Sequence, residues 1–170
     1  MLFERVFLPF FRHASRRAMN FDAGPVELPR PPADGSAFLY VHVPFCVVLC
    51  PFCSFHRVAY RESKAQRYFA ALRREIATYR DAGFRFTGVY FGGGTPTVAP
   101  GELARTLELI RASFPVREVS IETNPSDLTD PVLDELVRAG VDRVSVGVQS
   151  FDDGLLREME RHDKYGSRAD

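Results

Sequence analysis

Cys46, Cys50 and Cys53 stand within eight residues of a 170-residue chain that has no other cysteine. Three cysteines scattered at random would adopt this spacing in about 2 of 10,000 placements. An odd, clustered set is no disulfide framework, and free thiolates persist in a reducing compartment, so a cytoplasmic setting is expected. A thiolate trio on one loop is a metal site. Two centres compete for it. Structural zinc takes four closed ligands, so His42 or His56 would have to be the fourth. An iron–sulfur cluster is normally held by four thiolates, and three leave one iron open. The other groups that converge on this loop favour the cluster.

The first of these groups is the run Gly92, Gly93, Gly94, Thr95, Pro96. Without Cβ atoms the chain turns sharply and brings its amides and carbonyls close to a ligand. It is not a dinucleotide fingerprint, because no G-x-G-x-x-G pattern is present. Glu122 is an acid at a strand end, placed to accept ribose hydroxyls or to pair with an arginine. Gln149 offers a donor and an acceptor. Tyr40 faces the same interior one strand step before the cysteines, and Phe52 lies among them. His42 reads as a satisfied core residue, and His56 and His162 as exposed ones.

Something must bring these scattered residues to one rim. Apolar periodicity predicts strands at 37–43, 87–91, 117–122 and 142–148. It predicts helices at 63–82, 101–113, 130–139 and 152–161. Ser63 with Gln66 suggests a capping box, Gly83 a stop, and Gly140 the end of the third helix. Alternation of this kind means right-handed crossovers and a parallel sheet. Each strand is apolar on one side only: Val119 and Ile121 oppose Glu118, Ser120 and Glu122, and Val144 and Val146 oppose Arg143 and Ser145. An open doubly wound sheet would be apolar on both faces. The expected class is therefore α/β, a partial (β/α) barrel of parallel strands with a semi-polar interior, stopping after about four βα units. The cysteines, the glycine run, Glu122 and Gln149 all follow carboxyl ends of strands, where such folds place their sites.

Residues 1–36 read as an extension with a Pro-rich linker, 37–162 as the core and 163–170 as a polar, fraying tail. The first 17 residues are apolar and basic. Glu4 and the lack of a small-residue cleavage site argue against a secretory signal; an amphipathic lead-in is expected, with an organelle transit peptide as the alternative. Lys plus Arg and Asp plus Glu are 22 each, so no net charge draws the chain to nucleic acid. The longest apolar stretch, 38–53, is interrupted by His42, Pro44 and Pro51 and does not make a transmembrane segment.

The stretch LYVHVPFCVVLCPFCSF (39–55) resembles the cluster loop of radical S-adenosylmethionine (SAM) enzymes. More closely, it resembles the oxygen-independent coproporphyrinogen III oxidase group. GVYFGGGTPT (88–97), IETNP (121–125) and GVDRVSVGVQSFDDGLLREMERH (140–162) match the same group in order. The resemblance implies that Cys46, Cys50 and Cys53 hold a 4Fe–4S cluster. It implies that SAM meets the open iron, with Gly92, Gly93, Gly94, Thr95, Glu122, Gln149 and Arg161 around it and Tyr40 and Phe52 nearby. An electron from a flavodoxin or ferredoxin would cleave SAM and start radical chemistry on a porphyrin-type tetrapyrrole. Oxidases of the group carry a further cysteine where this chain has Phe55, a pattern closer to the haem chaperone and haem-utilisation branches. A family barrel also continues beyond four βα units. The chain alone is thus expected to bind the cluster without efficient turnover, and to self-associate through strand 142–148. A haem-binding protein, an inactive fragment and a zinc module are the alternatives.

Overall fold

The computed structural model describes residues 13–15, 24, 27–34 and 37–165. Most of the amino-terminal lead-in and the residues after 165 lie outside the described set. Residues 27–34, in the Pro-rich linker, are exposed and irregular apart from one turn.

Strand β1 (Ala37–Val43) is followed by two short strands, β2 (Phe45–Cys46) and β3 (Val58–Ala59), and then by helix α1 (Glu62–Asp81). Next come β4 (Phe86–Gly93), α2 (Pro100–Ser113), β5 (Glu118–Thr123), α3 (Asp130–Arg138) and β6 (Arg143–Val146). Two short helices, α4 (Asp153–Glu158) and α5 (His162–Tyr165), complete the described chain. The main sheet has the order β1-β4-β5-β6, and every pairing is parallel. Successive strands therefore lie side by side with no switch in direction of winding, which is barrel order and not doubly wound order.

The two faces differ as the alternation requires. Val41, Val43, Val89, Phe91, Val119 and Ile121 are buried together with Phe69 and Ile76 of α1, Leu103, Leu107 and Ile110 of α2 and Leu136 of α3. All three long helices thus cover one face of the sheet. The other face carries interior layers set by the register. Tyr40, Tyr90, Ser120 and Arg143 pair in succession across the four strands, and one step on come His42 opposite Gly92 and Glu122 opposite Ser145. Phe38 and Tyr40 stay more than half exposed on this face.

Three local expectations are corrected. Helix α1 starts at Glu62, with Arg61 as N-cap and no side-chain cap, so Ser63 and Gln66 form no capping box; Gln66 instead donates to Glu62 Oε1 at 3.2 Å. Strand β6 ends at Val146 and not at 148. Gly147 N–H makes the last bond to β5, to Thr123 O at 2.9 Å, and Gln149 adopts a φ of 70°. The helix expected at 152–161 ends at Glu158; Glu160, with a φ of 54°, separates it from α5, which lies beyond the expected stretch. Gly83 does end α1, at a φ of 83° that suits a residue without Cβ.

Candidate functional site

The loop that carries the cysteines is closed by the β2–β3 pair. Val58 N–H donates to Pro44 O and Tyr60 N–H to Cys46 O, both at 2.8 Å, so residues 47–57 leave and rejoin the body at one point. Nothing in the periodicity announced strands two residues long. Inside the loop Cys53 N–H donates to Cys50 O at 3.2 Å, and the Arg57 guanidinium also donates to that carbonyl. Cys46 and Cys50 are buried, and Cys53 is half-buried.

The loop folds over the carboxyl ends of the main strands and borders a half-open cavity of about 320 Å³. Cys46, Cys50, Cys53 and Phe52 line it from the loop, Gly93 and Gly94 from the end of β4, Glu122 from β5, and Gln149 and Arg161 from the segments after β6. Residues as distant as 46 and 161 are therefore brought to one rim, as the carboxyl-end rule requires. Tyr40, Gly92 and Thr95 are not in the cavity wall. Tyr40 lies one layer deeper, stacked on Tyr90 with ring centroids 6.1 Å apart. Thr95 is buried beneath the loop, its hydroxyl 3.6 Å from Cys46 Sγ.

The glycines of the run serve different neighbours. A Cβ on Gly92 would stand 3.0 Å from Glu122 Oε2 and from the Tyr90 ring. Gly93 has a φ of 112°, and a side chain there would meet the His42 ring. Gly94 passes so close to the β1–β2 link that a Cβ would come within 2.6 Å of Phe45 O. Glu122 is thereby held rigidly: Tyr90 OH donates to Oε1 at 2.6 Å and Gly93 N–H to Oε2 at 3.1 Å. Each oxygen keeps a free lone pair. The hydrogen bond to Glu122, with burial second, pushes the Tyr90 hydroxyl up to about 12, so it remains a donor.

Arg161 is 3% exposed. It donates to Cys50 Sγ at 3.5 Å, to Asn124 Oδ1 at 3.3 Å and to Gly147 O at 2.6 Å. Tyr165 of α5 lies against its guanidinium at 4.1 Å and donates to Val48 O at 3.3 Å, which ties residue 165 to the loop where a fraying tail was expected. Burial above all, then the charge of Cys50, raises the Tyr165 pKa. Burial likewise pushes the Cys46 thiol up; the Thr95 hydroxyl opposes this, and the neighbouring Cys53 and Cys50 add to it. Arg57, Asn124 and Tyr165 had no role assigned from sequence. Asn124 was visible at a strand end, whereas Arg57 and Tyr165 gave no signal among many arginines and aromatics.

The donor set fits an iron–sulfur centre with an open position. No histidine lines the cavity, and both ring nitrogens of His42 are engaged, Nδ1 with Tyr40 OH at 3.0 Å and Nε2 with His56 O at 2.9 Å. His42 is thus removed as a fourth zinc ligand. Among the described residues no three His, Cys, Asp or Glu side chains stand close enough together to hold one metal ion. Arg57 and Arg161 each bury an Nε–H with no partner among the described residues, beside the thiols. An anionic group in the cavity would meet two cations with donors to spare.

Comparison with known proteins agrees. The sequence matches the Radical SAM superfamily over residues 40–169. It is 36% identical over 146 residues to an oxygen-independent coproporphyrinogen III oxidase of Bradyrhizobium diazoefficiens, covering 81% of this chain and 32% of that protein. It is 35% identical over 129 residues to the heme chaperone HemW of Bacillus subtilis, covering 72% of this chain and 34% of that one. The structure of the coproporphyrinogen III oxidase of Escherichia coli, described as a radical SAM enzyme, superposes with a TM-score of 0.67 at 35% identity, covering 78% of this chain and 31% of the other. The chain spans about a third of the length of these relatives. With the cysteine loop, the glycine run and Glu122 on one rim of a barrel-ordered sheet, and with 130 residues matched, the chain belongs to the Radical SAM superfamily.

Proposed function

We propose that this chain forms the cluster- and SAM-binding part of a radical SAM oxidoreductase acting on a porphyrinogen- or haem-type tetrapyrrole. The convergence of three thiols, Glu122, Gln149 and a buried arginine on one cavity carries this reading. Cys46, Cys50 and Cys53 would hold a 4Fe–4S cluster, and Gly93, Gly94, Glu122, Gln149 and Arg161 would surround SAM. Bound there, the pair supplies one-electron cleavage of SAM as the source of radical chemistry. The protein's own work is positional. Glu122 is fixed by Tyr90 and Gly93 before any ligand arrives, so little ordering remains to be done on binding. Arg161 sets a cation behind Cys50, and the loop with α5 forms one side of the cavity. The electron donor would be a flavodoxin or ferredoxin, and a cytoplasmic setting suits three free thiols. Among the described residues no helix is long and apolar enough to cross a membrane.

Anaerobic reconstitution tests the reading. About four iron per chain are expected, with loss of the reducible cluster in Cys46→Ala, Cys50→Ala and Cys53→Ala. Full iron in all three variants would refute it. A second reading, a haem carrier that keeps the cluster and SAM site, is favoured by Phe55, which is 69% exposed at the cavity where the oxidases carry a further cysteine. Reductive SAM cleavage without turnover of any tetrapyrrole would select it.

A further inference from the structure

Two of the three cysteine sulfurs are joined by an unbroken chain of hydrogen bonds through Asn124. Its Nδ2 donates to Thr95 Oγ1 at 2.8 Å and to Asp127 Oδ2 at 3.3 Å, while its Oδ1 accepts from Arg161 Nη2 at 3.3 Å. Thr95 Oγ1 lies 3.6 Å from Cys46 Sγ, and Arg161 Nη1 lies 3.5 Å from Cys50 Sγ. These partners leave the amide one orientation. Arg161 has only protons to give, so Oδ1 must face it; Nδ2 then faces the two oxygens. With that settled, the Thr95 hydroxyl is an acceptor on its Asn124 side, and its own proton is free to point at Cys46 Sγ.

We infer that Asn124 is a positioning residue that sets the proton direction of this chain, so that Thr95 and Arg161 both donate to ligand sulfurs and raise the reduction potential of the centre. The inference rests on reading the cysteines as cluster ligands. The physical reason is charge. Uptake of one electron makes the centre and its thiolates more negative by one, and donors on the sulfurs stabilise that form more than the oxidised one. Donors to charged groups are the strong ones. Thr95 is 1% exposed and does not line the cysteine cavity, so its hydroxyl has no ligand contact there that would hide the effect.

The test is a dithionite titration of the reconstituted 170-residue chain, followed by electron paramagnetic resonance. Thr95→Val removes the hydroxyl at constant shape; Thr95→Ser restores it. Asn124→Ala removes the hub. Thr95→Val should make reduction about tenfold less favourable, a downward shift of about 59 mV for one electron. Asn124→Ala should shift it in the same direction, because the Thr95 hydroxyl loses the donor that turns its proton toward Cys46 while Arg161 keeps Gly147 O, and Thr95→Ser should return to the wild-type midpoint. Wild-type midpoints in Thr95→Val and Asn124→Ala would overturn the inference, and so would a Thr95→Ser variant as low as Thr95→Val. Should Thr95→Val load no iron, Asn124→Ala against wild type carries the same test. Failure of the wild-type chain to form any cluster is a different result, which removes the parent reading itself.

Discussion

The Gly94→Ala variant separates two explanations of the glycine run, approach to a ligand and approach of the protein to itself. Gly94 has an ordinary backbone conformation, so alanine meets no dihedral penalty there. The obstacle is contact: an added Cβ would lie 2.6 Å from Phe45 O, 2.8 Å from Pro44 C and 2.9 Å from Pro44 O. All three are backbone atoms, which cannot swing aside as a flexible side chain would. The β1–β2 link would have to retreat by about 1 Å in an interior packed at crystal-like density. Two hydrogen bonds hold that link, Gly94 N–H to Val43 O at 2.8 Å and Thr95 N–H to Phe45 O at 2.7 Å. Weakening both, with one group left buried and unpaired, costs about 2–4 kcal/mol. For a domain of this size the loss lowers Tm by about 5–15 °C. Gly101 is the internal comparison, because a Cβ there meets nothing within 4 Å. Gly101→Ala should be neutral or gain up to about 1 kcal/mol. Thermal unfolding of both variants by circular dichroism is the assay, with iron content as a second reading, since Cys46 is one residue beyond Phe45. A Gly94→Ala protein melting with the wild type would refute the close-approach account.

Two further outcomes concern stability. The Tyr90 pKa is raised from 10 to about 12 in the folded chain by its hydrogen bond to Glu122 and by burial. The fold therefore binds this proton more tightly than the unfolded chain does. Its contribution is whole below pH 10 and is lost as pH climbs toward 12. Tyr90→Phe should flatten that limb of the urea-unfolding free energy, and equal slopes in both proteins would contradict the assignment. Leu107, fully buried under the sheet, should cost about 2–5 kcal/mol when cut to alanine, because the cavity left cannot collapse among Phe91, Ile110 and Val119. A urea midpoint unchanged from wild type would place it outside the core.

What could be read from residue order was whatever repeats. The alternation in 117–122 and 142–148 distinguished a barrel-ordered sheet from a doubly wound one, because the class depends on which faces are apolar and period two reports that directly. The helical face Ala65, Phe69 and Ile76 was legible for the same reason, and these three are the buried residues of α1. Boundaries that hang on single dihedrals were not legible. The periodicity of Val144, Val146 and Val148 runs on past Gly147, yet the strand stops at Val146 and Gln149 turns at a φ of 70°. Gln149 thus reaches the cavity from a turn and not from a strand position. The β2–β3 pair and the break at Glu160 were hidden too, since two residues, or one positive φ, show no period.

Register is the part that sequence withholds and that most shapes the site. The carboxyl-end rule put Gly92 and Glu122 at the same rim but could not put them in contact. The ladder does: His42 stands opposite Gly92, Tyr40 opposite Tyr90, and Glu122 opposite Ser145. Once these layers are set, the missing Cβ of Gly92 is the space through which the Glu122 carboxylate and the Tyr90 ring come together. Gly93 yields to His42, and Gly94 yields to Phe45 O. Packing against backbone at Gly94 and a positive φ at Gly93 therefore favour glycine before any ligand is considered, and a Cβ on Gly92 would press on the Glu122 and Tyr90 side chains. The run's effect on ligand chemistry follows from that packing, because the same contacts aim the Gly93 amide at Glu122 and seat Thr95 under Cys46. The motif is short because one strand end must satisfy β1, the cysteine loop and β5 within three residues, most strictly at Gly94, where the neighbours are backbone atoms.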